Sequence, residues 1–252
     1  LQGKKVIRTY TNKLPKGFKS WPGGPSKPQL LPSKTGYNRF TWDFNRQAIP
    51  SVNQVFVFGG HSGSSVAPGK YTLKLSLGED SVETVATILP NPNVQSRPQE
   101  FVEQQKLLEG IETTLADMHE SVNLMRSAKS QLQSYAKLLK DNNDAVALVK
   151  KGEDLLKRIN RWEENLIQEK QKTFQDVINF NNKLNAQLLN LKSYIDQANP
   201  KVTQGAKERY ADLMEDWKVY RTERDAIINK EMKAYNQLYT SLKLPALILT
   251  KD

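Results

Sequence analysis

The chain holds only two imidazoles, His61 and His119, among 252 residues, and it has no cysteine. Imidazoles can bind metal or move protons, but both tasks need partners at fixed spacing. His61 lies in the loop Gly59-Gly60-His61-Ser62-Gly63-Ser64-Ser65, and His119 follows Met118 on a helical stretch. Neither sits in an H-x-x-x-H or H-E-x-x-H pattern. The absence of cysteine excludes disulfides, thiolate metal sites and cysteine nucleophiles. The Gly-rich run at 59–63 is not followed by a helix, so it lacks the N-terminus that would hold a phosphate. Adjacent acids at Glu163-Glu164, and Asp212 with Glu215 and Asp216, are expected on solvated helix faces rather than across a cleft. No cofactor and no metal site are expected, and the chain is not expected to be an enzyme.

Binding chemistry has a narrower set of candidates. Trp21 lies in the proline- and glycine-rich stretch from Lys13 to Ser33, with Phe18 and Lys19 beside it. An aromatic on such a loop can stack on a sugar ring or seat against a partner protein. It can equally fold back and plug the end of a domain. Phe18, Lys19, Trp21 and His61 are therefore the candidate binding residues. Trp42, Trp162 and Trp217 fall on apolar faces and are expected in the core.

The elements that must position these groups differ between the two halves of the chain. The first half has period two: Phe40, Trp42 and Phe44 alternate with Arg39, Thr41 and Asp43. Val6–Tyr10, Gln54–Phe58, Tyr71–Leu77 and Glu83–Leu89 are further strand candidates. Short strands between Gly/Pro turns point to an immunoglobulin- or fibronectin III-like β-sandwich over residues 1–93. Leu89-Pro90-Asn91-Pro92-Asn93 ends the β-region.

The second half has the helical period. Leu108, Ile111, Leu115, Met118, Val122, Met125, Leu132, Tyr135 and Leu139 form one stripe, predicting a helix over 99–140. A second helix carries Leu148, Leu155, Ile159, Trp162 and Leu166. A third carries Phe174, Val177, Leu184, Leu188, Leu191 and Ile195. A fourth starts at the N-cap Thr203 and is expected to stop at Pro245. Residues 98–244 thus read as an antiparallel four-helix bundle.

The chain carries a net charge of +10. Residues 1–97 hold 13 lysines and arginines against four acids, a balance of +9. Most of those lysines lie in loops, and no RNP-type aromatics or basic recognition helix accompany them. Nucleic acid is therefore not expected as a partner. No apolar stretch is long enough to span a bilayer. The opening LQGKKVIRTY has no apolar signal-peptide core and reads as the middle of a β-region. The chain is accordingly expected to be the C-terminal part of a longer protein.

Three segments carry a family resemblance. Residues 3–10 (GKKVIRTY), 36–43 (GYNRFTWD) and 66–75 (VAPGKYTLKL) are similar to an immunoglobulin-like domain related to that of flagellar hook-capping proteins. In the version nearest to this chain, that domain follows a sortilin-type, BNR-repeat β-propeller in large exported bacterial proteins, often of Bacteroidetes, that are commonly labelled glycosyl hydrolase-like. Residues 176–188 (DVINFNNKLNAQL) and 199–203 (NPKVT) resemble the helical tail of the same proteins. The resemblance implies export and a non-catalytic structural or protein-interaction role. The partner would be another protein or the upstream propeller. A carbohydrate-binding accessory role, with a glycan as partner, is the alternative. Any hydrolytic chemistry would belong to the propeller, so no catalytic residue carries over.

Overall fold

The computed structural model describes residues 1–244, and helix dominates it. Helix α1 runs from Pro98 to Leu139. Pro98 presets the first turn, and the Glu100 carboxylate accepts the Arg97 backbone N–H at 2.8 Å, satisfying a donor at the helix entry. At about 1.5 Å per residue, α1 is ~63 Å long and spans the whole bundle. A 3-10 turn at Asn143–Ala145, capped by the Asn142 side chain, leads into α2, Val146–Leu166. Helix α3 covers Leu184–Ile195, and α4 covers Gln204–Ala226 behind its N-cap Thr203. A π-helical turn at Ile227–Met232 joins α4 to α5, Lys233–Ser241, without breaking the rod. The expected stop at Pro245 lies outside the described residues.

The apolar stripes meet in a single core. Leu108, Ile111, Leu115, Met118, Val122 and Met125 of α1 are fully buried, with Leu148, Ile159, Trp162 and Leu166 of α2. Trp162 satisfies its indole N–H on the Tyr220 carbonyl at 2.8 Å, so its burial leaves no donor unpaired.

The third helix starts later than its apolar spacing predicts. Residues 174–178 form a 3-10 turn, and Phe174 and Ile178 are exposed. Asp176 accounts for this locally: its carboxylate accepts the backbone N–H of Thr173 at 2.8 Å and of Lys172 at 2.6 Å. That capping geometry closes a tight turn, and the asparagine-rich stretch after it favours turns over helix.

Among the described residues there is no immunoglobulin-like sandwich. The described strands are two, β1 (Gly69–Leu77) and β2 (Asp80–Ile88), paired antiparallel in one hairpin. Gly78 at φ +61° makes the two-residue loop between them possible. The other period-two segments are extended but do not pair as sheet. Ile49, Val52, Val55 and Val57 instead bury into the helical core. Their stretch, residues 45–65, lies along α1 as a strap. Phe44 takes φ +58°, which breaks the extended geometry there; its ring meets Trp42 edge-on at 5.3 Å but stays exposed. The aromatic run therefore supplies a small cluster, Trp42 edge-on to Tyr71 at 5.5 Å, rather than the centre of a sandwich.

Candidate functional site

An extended strap without a neighbouring strand must bond its backbone elsewhere. Part of the solution is local: Arg46 N–H bonds to Ser64 O at 2.8 Å, and Ile49 N–H to His61 O at 2.8 Å. The rest comes from a polar stripe on α1. Gln105 donates to Ser65 O, Glu112 accepts from Ser64 N–H, and Glu109 pairs with Arg46. Further along, His119 bonds Pro50 O at 2.7 Å, and Asn123 donates to Ser51 O at 2.8 Å. Asn123 also accepts from Asn53 N–H at 3.2 Å, and Arg126 donates to Asn53 O at 2.7 Å. Positions 105, 109, 112, 119, 123 and 126 follow the three–four alternation of one helix face. This stripe flanks the apolar one, so α1 grips both the strap's side chains and its main chain.

Asn123 makes two of these bonds. Asn123→Ala is expected to destabilise the strap locally by about 1 kcal/mol. Amide exchange of Val52, Asn53 and Val55 should quicken about fivefold while α2 amides do not change. Equal acceleration throughout the protein would refute a separately opening strap.

Beneath the strap the two histidines meet, their ring centroids 6.5 Å apart. Both are buried, at 5% and 0% exposed. His119 Nδ1 faces a carbonyl, so the neutral ring carries its proton there and presents Nε2 unprotonated. That Nε2 and both nitrogens of His61 make no hydrogen bond of good geometry, although the Gly23 backbone lies close enough to His61 to oppose the effect of its burial. Burial holds the His119 pKa down to about 4, with His61 adding to the effect and the Pro50 carbonyl opposing it. Burial lowers His61 in the same way. Two neutral imidazoles fall short of the three or four ligands a zinc site uses. Among the described residues, no group of three or more His, Cys, Asp or Glu could hold a metal ion. The buried Ser64 hydroxyl bonds to neither ring, so no base activates it.

The candidate binding residues do not converge on one cavity. Trp21 is half-buried, and its indole N–H is used on Val55 O at 2.8 Å. Gly24 lies against the indole: a Cβ there would sit 2.5 Å from Cε2. Trp21 thus pins the Lys13–Ser33 loop to the strap rather than presenting a stacking face. Phe18 is half-buried, Lys19 is exposed, and His61 is the buried partner of His119. Neither histidine's sequence context reveals that pairing, because 57 intervening residues separate them. The polar stripe of α1, by contrast, has a readable signal in its spacing.

The hairpin forms the other distinctive surface. Tyr71 anchors its base, 1% exposed, with its hydroxyl donated to Ala67 O at 2.7 Å. Beyond Tyr71 one face carries Leu73, Leu75 and Leu77, with Val82 opposite Leu75. These four are 42%, 59%, 83% and 63% exposed. The other face carries Lys74 paired with Glu83 at 3.2 Å. An amphipathic hairpin normally buries its apolar face, and here nothing described covers it. Among the described residues no helix is long and apolar enough to cross a membrane. No protein-family model matches the chain, and no curated protein or solved structure matches it.

Proposed function

We propose that the chain is a non-catalytic structural and protein-interaction module that presents the β1–β2 hairpin from a strapped helical body. The observation that carries this reading is the uncovered apolar row Leu73, Leu75, Leu77 and Val82. Contiguous exposed apolar surface rimmed by polar groups is characteristic of protein contact sites. The family resemblance supplies a concrete partner: the β-propeller of an exported sortilin-like protein. The glycan-binding alternative rested on Trp21 and the basic first half; the Trp21 indole N–H is engaged on Val55 O of its own chain.

The test is direct binding of this chain to a separately expressed sortilin-type propeller. Leu75→Ser combined with Leu77→Ser should weaken binding at least tenfold without lowering the melting temperature. Undiminished binding, or turnover of a glycan or peptide by the chain alone, would refute the reading.

A further inference from the structure

We infer that His61 and His119 bind one copper(I) ion in line between their rings, clasping the strap to α1. The two imidazoles belong to different elements, His61 to the strap and His119 to α1. Their ring centres lie 6.5 Å apart, and the residues are 5% and 0% exposed. That separation is informative. A direct N–H···N bond of about 2.9 Å would draw the centres to roughly 5 Å. Two metal–imidazole bonds of about 2.0 Å on opposite sides of one ion would hold them roughly 6 Å apart. A small side-chain shift closes the remaining difference. The 65° angle between the rings does not oppose the arrangement, because rotation about an in-line N–metal–N axis leaves both bonds unchanged.

Each ring is prepared as a ligand. A metal-bound imidazole usually donates its other N–H to a carbonyl or carboxylate, which fixes its tautomer. His119 has that arrangement, with Nδ1 on Pro50 O at 2.7 Å and Nε2 without a hydrogen-bond partner. The Gly23 backbone is the corresponding neighbour of His61. Burial keeps both rings neutral at pH 7, so an incoming metal displaces no proton. The ligand set then selects the ion. Zinc takes three or four ligands, and among the described residues no third His, Cys, Asp or Glu joins the pair. Copper binds imidazole well, and its monovalent state is stable with two ligands in line. Charge argues the same way. Desolvating a divalent ion costs about four times as much as a monovalent ion of equal size, and neither ring supplies a compensating negative charge. The chain has no other histidine and no cysteine to compete for the ion. Because both rings are buried, loading follows strap opening, and the bound ion holds the strap down by mass action.

The test is an anaerobic titration of the full chain with copper(I) in competition with the chelator ferrozine. The protein should retain one equivalent, and X-ray absorption of the loaded protein should show two nitrogen neighbours of copper and no third. His61→Gln and His119→Gln should each weaken retention at least a hundredfold. Where a variant fails to fold, amide exchange in the parent locates the ion instead. Saturating copper(I) should slow exchange of Ile49, whose N–H bonds to His61 O at 2.8 Å, at least tenfold and leave α2 amides unchanged. Loss of all copper(I) to the chelator would mean that the space between the rings takes water only, and it overturns the proposal. A third ligand on copper, undiminished retention in either folded variant, or unchanged exchange of Ile49 overturns it as well.

Discussion

Lowering the pH from 7 to 4 is expected to remove about 3 kcal/mol of stability, with the strap opening before the helices. The cause is His119, which is completely buried, with its Nδ1–H on the Pro50 carbonyl and its Nε2 unpaired. Its pKa is held down to about 4, whereas an imidazole in the unfolded chain titrates near 6.5. Between those values the unfolded chain takes up a proton that the folded chain refuses. Stability is therefore complete above pH 6.5, falls as the pH drops towards 4, and levels off below. At about 1.4 kcal/mol per pH unit the window is worth roughly 3 kcal/mol. His61 is shifted in the same direction and adds to the slope. Glu109, held below the ordinary carboxylate range by Arg46 and Lys5 despite partial burial, stays ionised through most of the window. Urea midpoints measured from pH 7.5 to 4.5 should fall steadily in the parent. They should fall much less steeply in His119→Gln, whose amide can still donate to Pro50 without titrating, the remaining slope being that of His61. An NMR titration that placed His119 near 6.5 would contradict the buried, neutral arrangement.

That acid-sensitive seam was the least legible part of the fold, and the reason is physical. The apolar run at 55–58 reads as an extended segment that must be buried. It does not state what covers it. Val55 and Val57 satisfy the same reading whether they face a second sheet or the side of α1. The sandwich expectation supplied the wrong cover. The two strands, Tyr71–Leu77 and Glu83–Leu89, were legible as strands, but as members of a sandwich; that they pair only with each other was not. Helix α1 was legible almost to the residue, because its apolar stripe runs unbroken and Pro98 marks its start. The stripe at Gln105, Glu109, Glu112, His119, Asn123 and Arg126 was equally present in the sequence. Polar residues on a long helix are ordinarily solvated, and only the strap's unpaired main chain gives their spacing a purpose. The start of α3 was misplaced because apolar spacing at Phe174 and Val177 outweighed the Thr173–Asp176 cap. His61 and His119 are brought together only by the strap's path, which no local pattern encodes.

Glu163→Ala is expected to destabilise the protein by about 3 kcal/mol, and to do so through the strap as well as the bundle. The Glu163 side chain is 3% exposed and accepts from Arg126 Nε at 2.5 Å and Lys129 Nζ at 3.1 Å. Arg126 is the hub: its Nη1 donates to the Asn53 carbonyl at 2.7 Å and its Nη2 reaches Glu169. One guanidinium thus joins α1 to α2, to the segment after α2 and to the strap. Removing the carboxylate leaves Lys129 without its carboxylate partner and Arg126 with only Glu169 and the Asn53 carbonyl. The cost stays near the lower end for a broken buried pair, because Arg126 and Lys129 are 24% and 21% exposed and can turn towards water. Glu163→Gln keeps the shape and one acceptor, and should cost about half as much. The two readings of Glu163, as bundle glue or as the anchor of a hub, separate in a double-mutant cycle with Asn123→Ala. Asn123 and Arg126 hold the N–H and the carbonyl of the same strap residue, Asn53, so a freed Arg126 should make the two losses non-additive by at least about 0.5 kcal/mol. Strict additivity would confine Glu163 to the helices. A cost below about 1 kcal/mol would mean that Glu163 contributes no more than an exposed ion pair does.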